Sequence, residues 1–99
     1  MKKVFKFKFD DKEGFLSVVE KDNVYYTLVQ KDTPKVKSIQ ESHKLFIAYD
    51  LKQPVFHEVD CNVSFDKSLI EAVYKQLEEE KNLYFKQLDD TLCVLEIKK

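Results

Sequence analysis

The chain opens with an alternation. Phe5, Phe7 and Phe9 fall on one parity of residues 2–9, while Lys2, Val4, Lys6 and Lys8 fall on the other. Period two is the signature of a strand with one face buried, so residues 2–9 are predicted to form a strand with phenylalanine inward. Asp10 to Gly14 then reads as a turn, since it holds the chain's single glycine among charged residues. Phe15–Glu20 is predicted as a second strand and Val24–Gln30 as a third, with Lys21-Asp22-Asn23 as a tight connection between them. Three strands joined by short polar turns describe an antiparallel meander.

The period changes after Gln30. Thr33 suits a helix N-cap and Pro34 suits the first helical position, where its missing N–H costs nothing. Val36 and Ile39 are spaced to face a core, and the short helix should end near Ser42-His43. Leu45–Tyr49 is continuously apolar and is expected to be a central strand. Alternation returns from Val55: His57, Val59, Cys61, Val63 and Phe65 share its face, which is expected to be buried. Ser68 followed by Glu71 fits a capping box, and Leu69, Ile70, Val73 and Leu77 form a helical stripe reaching about Glu80. Asn82–Asp90 reads as a loop carrying Leu83, Tyr84 and Phe85, and Thr91–Ile97 as the last strand. The predicted order is β-β-β-α-β-β-α-β, one domain over residues 1–99. It is mainly β (α+β), a small antiparallel barrel with two outer helices.

Composition narrows the function classes. The formal net charge is −1 and the basic residues are all lysine. No global field draws the chain to nucleic acid or to an anionic membrane, and planar bidentate recognition of phosphates or bases is unavailable without arginine. Cys61 and Cys93 stand far apart with no CxxC or Cys/His ladder, so no metal site is expected. No signal-like or membrane-spanning run is present, and a cytoplasmic protein with free thiols is the expectation.

Candidate chemistry is sparse. His57 and Cys61 share a strand face, but four residues of strand separate them by roughly 13 Å. A buried histidine with a backbone partner is the expected role of His57, and His43 is expected to be exposed. Glu78-Glu79-Glu80 reads as a solvated helix end and Asp89-Asp90 as a turn. No spacing suggests a Ser-His-Asp arrangement or an acid–base carboxylate pair. What remains is the helix mouth. Thr33, Lys35 and Lys37 surround a helix N-terminus, which presents unpaired N–H groups to an anion. Two readings stand: a phosphate site, or a solvated face of surface lysines.

Taken together, the element order and Tyr25-Tyr26-Thr27, Thr33-Pro34-Lys35-Val36-Lys37-Ser38-Ile39, Ser42-His43 and Leu45–Asp50 resemble the FMN-binding split-barrel family related to pyridoxamine 5′-phosphate oxidase. Lys37 stands where that family often has arginine, and Ser42-His43 replaces its Asn-Pro turn. The resemblance implies a six-stranded antiparallel split β-barrel, a homodimer with FMN at the subunit interface, and flavin oxidoreductase chemistry on a small molecule. It implies that the phosphate lies near Thr33, Lys35 and Lys37. It also implies that the ring system lies against Val18, Val19, Tyr26, Thr27 and Leu28, with Tyr84 and Phe85 covering a ligand from the partner subunit. The rival reading is a cofactor-free binding or interaction module on the same barrel. A third is a haem-binding relative with His57 or His43 as ligand.

Overall fold

Six strands and two helices follow the predicted order in the computed structural model, which describes residues 3–83, 85 and 88–98. The strands are β1 (Lys3–Phe9), β2 (Lys12–Lys21), β3 (Val24–Gln30), β4 (Lys44–Ala48), β5 (His57–Ser64) and β6 (Leu92–Lys98). They close into an antiparallel barrel in the order β1-β2-β3-β6-β5-β4. The helices are α1 (Pro34–Ser42) and α2 (Lys67–Glu79).

Local chemistry explains the joints. Asp22 and Asn23 both adopt positive φ, 53° and 66°, the pattern of the two-residue turn that matches strand twist. Thr33 caps α1 by accepting from the Val36 N–H, and His43 ends it in the left-handed region at φ 58°. The cap of α2 is Asp66, which accepts from the Ser68 N–H, so the helix starts just ahead of the predicted Ser68 box.

The first turn differs from expectation. It is Asp10-Asp11, flanked by the Phe9–Lys12 pair, with Asp10 taking φ 53°. Gly14 instead lies inside β2, directly opposite Phe7. A Cβ built there would sit 2.7 Å from Phe7 Cε1. The glycine makes room for a ring across the strands rather than for a bend.

Two apolar clusters hold the fold together. The barrel interior gathers Phe5, Leu16, Val18, Val29, Cys61, Leu95 and Ile97, and α1 buries Val36 and Ile39 in this same cluster. Outside the wall, Ile70, Val73 and Leu77 of α2 pack on Val19, Leu28, Leu92 and Val94. β6 is therefore covered on both faces. β4 is not: Leu45, Ile47 and Ala48 are buried but Phe46 is 45% exposed, since among the described residues α2 packs on β2, β3 and β6 instead.

The predicted buried face of β5 is buried only in its middle. Cys61 is fully buried and Val59 and Val63 are half-buried, whereas Val55, His57 and Phe65 are exposed. The parity continues past the point where the interior ends. His57 is thus not a buried histidine; its ring lies 6.3 Å from that of Tyr49, in a cluster where Phe5 meets Tyr25 and Tyr49 edge to face at 4.8 Å.

Candidate functional site

The barrel wall parts between β2 and β3. Their pairing runs from the Lys21–Val24 turn only to Val18–Thr27. Beyond that pair β2 stays hydrogen-bonded to β1 as far back as Lys12, and β3 stays with β6 as far as Gln30. Gly14–Ser17 and Leu28–Gln30 therefore face one another without strand pairing. At the fork, the buried Thr27 hydroxyl donates to the Ser17 carbonyl at 2.6 Å, satisfying a ladder group where the ladder stops.

A groove of about 530 Å3 fills the split, within the range of small-molecule clefts. Its inner floor is Phe7, Leu16 and Val29, and its outer rim includes Phe15, Leu77 and Phe85. Thr33 and Lys35, from the start of α1, also line it. The lining is thus mostly apolar, with Ser17, Gln30 and Thr33 as polar points and Lys35 as the one basic side chain among the described residues.

Lys35 is placed by the start of α1 and held by packing. Its Nζ lies 4.1 Å from the centre of the Phe7 ring, a cation–π distance. The same ring occupies the space that Gly14 leaves vacant. Among the described residues no ion pair involves Lys35. Burial pushes its pKa below the ordinary 10.5, against opposing pulls from Cys93 and Cys61. Those thiols are themselves buried and pushed up, Cys61 to about 12 and Cys93 to about 11. At neutral pH they carry no charge, so burial governs Lys35.

Of the residues singled out from the sequence, Leu28, Thr33 and Lys35 meet at this groove. Lys37 is exposed and lies off it. Val18 points into the barrel at 0% exposure, Val19 lies under α2 at 1%, and Thr27 is spent on the fork. Tyr26 packs half-buried beside α2. The Thr33 hydroxyl has two occupations already, accepting from Val36 N–H at 3.3 Å and donating to the Gln30 carbonyl at 3.4 Å. Phe85 does lie at the groove, and Tyr84 lies outside the described residues. His43 is exposed, its Nδ1 3.1 Å from Asn62 Oδ1. Phe7 and Gly14 were missed as site residues, although a lone glycine inside a strand pattern signals a close approach.

Among the described residues no group of three or more His, Cys, Asp or Glu is placed to hold a metal ion, and no helix is long and apolar enough to cross a membrane. No protein-family model matches the chain, and no curated protein matches it. Among solved structures it is similar to a crystal structure named "Putative Pyridoxamine 5'-phosphate oxidase" from Listeria innocua. The identity is 15%, the TM-score 0.62, and the match covers 97% of this chain and 81% of that one. At that identity the likeness is one of fold: this chain is a closed six-stranded split barrel of the same architecture as that protein.

Proposed function

We propose that this protein is a small homodimeric split-barrel that binds FMN in the groove between β2 and β3. The observation that carries the reading is the groove itself: a mostly apolar cleft of about 530 Å3 whose one cation among the described residues is Lys35, at the start of α1. A flat aromatic ring system suits walls built from Phe7, Phe15, Leu28 and Phe85, and an anionic phosphate suits Lys35. Arrival of a phosphate would also reverse the penalty that burial places on the Lys35 charge. When bound, FMN supplies redox chemistry, and the chain's part is to position it and exclude water. The fold likeness to the Listeria protein supports the same reading. A dimer is supported by two outward rings, Phe15 on β2 and Phe46 on β4, which are 65% and 45% exposed.

The cofactor-free binding module is favoured by one specific observation. The Thr33 hydroxyl is already engaged, and Lys37 stands away from the groove, so of the three candidate anion partners only Lys35 is left to meet a phosphate there. Titrating purified protein with FMN and following flavin fluorescence separates the two. Saturable quenching that weakens in Lys35→Ala supports flavin binding. Unquenched FMN at high protein concentration leaves the module reading.

A further inference from the structure

The groove contains an amine in an uncommon setting. Lysine ammonium groups normally point to water or to a carboxylate. Lys35 has no carboxylate partner among the described residues: it is half-buried, lines a mostly apolar cleft, and holds its Nζ over the Phe7 ring at 4.1 Å. A cation–π contact stabilises the charge less than water does, so burial shifts Lys35 toward the neutral amine, whose nitrogen lone pair is nucleophilic. The chain's other lysines offer a contrast. Lys37 is exposed, and Lys3, Lys6 and Lys44 pair with Glu20, Glu13 and Asp60.

We propose that Lys35 is a carbonyl-capturing amine, condensing with a small aromatic aldehyde seated in the β2–β3 groove. The chemistry needs no oxidant or reductant. Nζ gives its proton to solvent, attacks the carbonyl carbon and forms a C–N bond as the carbonyl π bond breaks. The oxygen takes up one of the two remaining amine protons through solvent, giving a carbinolamine. Loss of its hydroxyl together with the last amine proton, as water, leaves a C=N bond to Lys35. The ligand class follows from the walls: Phe7, Phe15 and Phe85 offer ring faces and edges, while Leu28, Val29 and Leu77 offer apolar contact. Ser17 and Gln30 at the groove offer polar groups to the departing water. Phosphate binding and carbonyl capture are alternative uses of one amine, charged for the first and neutral for the second, so this inference does not rest on the flavin reading.

The test uses benzaldehyde with sodium cyanoborohydride at neutral pH, trapping imines as stable secondary amines, followed by intact mass and peptide mapping. The expected result is that the first adduct falls mainly on Lys35 in the folded protein. In Lys35→Arg, which keeps a cation over Phe7, that adduct is lost. In wild-type protein unfolded with urea before labelling, the preference for Lys35 disappears. Adducts spread evenly over the lysines of the folded protein would overturn the proposal, as would a Lys35 preference that persists after unfolding. Because the labelling contains no FMN, its outcome is independent of the flavin titration.

Discussion

The Thr27 hydroxyl donates to the Ser17 carbonyl at the point where β2 and β3 stop pairing. Thr27 is 1% exposed, so no water can replace that donor. The residue thereby stabilises a break in the barrel wall rather than a continuation of it. Thr27→Val keeps the shape and strands the carbonyl. A buried acceptor left unsatisfied costs about 1–3 kcal/mol. Urea denaturation should show a lower midpoint by that margin, with the slope unchanged. An unshifted midpoint would mean the fork is held by something else.

The two lysines that look equivalent in the sequence should separate in binding. Lys35 lines the groove and Lys37 is exposed away from it. A charge-assisted contact contributes about 1.5–3 kcal/mol, so Lys35→Ala should weaken FMN binding by about tenfold or more. Lys37→Ala should change it by less than about twofold, because an exposed charge is screened by solvent. Equal losses in both variants, read by fluorescence titration, would place the anion elsewhere on α1.

Local signals were legible and long-range ones were not. Thr33 and Pro34 announce α1 because capping is decided within one turn of chain, and the stripe of α2 follows from its own period. The split is invisible in the sequence because it depends on where one register ends: Val18 and Thr27 look like any other strand residues. Gly14 misled for a related reason. Its acidic neighbours resemble a turn, yet Asp10 supplies the positive φ, and what the glycine answers to is Phe7 on another strand. His57 shows the limit of parity, which predicts a face but not where the interior stops.

Gly14 and Phe7 should be coupled. A methyl at Gly14 would meet the ring at 2.7 Å, so Phe7 must move and lose its place under Lys35. Forced repacking of this kind costs about 1–3 kcal/mol. In a Phe7→Ala background the same Gly14→Ala change meets no ring. It should then be stabilising by about 0.5–1 kcal/mol, since glycine is costly inside a strand. A double-mutant cycle by denaturation reads the sign change directly; the same effect in both backgrounds would contradict the contact.

Asn82 should act as a clasp between the end of α2 and the first strands. Its side-chain N–H groups donate to the carbonyls of Lys3 at 2.9 Å and Val18 at 3.4 Å. Its backbone N–H donates to Leu77 at 2.9 Å, after Lys81 turns the chain with φ 54°. The side chain is 8% exposed, so Asn82→Ala should cost about 1–3 kcal/mol. Hydrogen exchange should quicken at the last turn of α2 and at the start of β1 together. Faster exchange in only one of the two would show that Asn82 does not link them.

The buried thiols should make the protein weaken in alkali. Folding pushes Cys61 up to about 12 and Cys93 up to about 11 from the ordinary 9.0, because burial disfavours the thiolate. Above pH 9 the unfolded chain loses these protons while the folded chain keeps them. Stability is therefore full below about pH 9 and declines as the pH climbs toward the folded values. Lys35 acts in the opposite sense. Its folded pKa lies below 10.5, so the unfolded chain holds the extra proton there and stability gains as the pH rises past the folded value. That group is only half-buried and its effect is reduced by solvent, so the two thiols dominate. The urea midpoint should fall between about pH 8 and about pH 10, and the fall should shrink in Cys61→Ala despite that variant's lower starting stability. A midpoint that stays level over this interval in wild-type protein would mean that the thiols ionise equally well folded and unfolded, which a dry barrel interior does not allow.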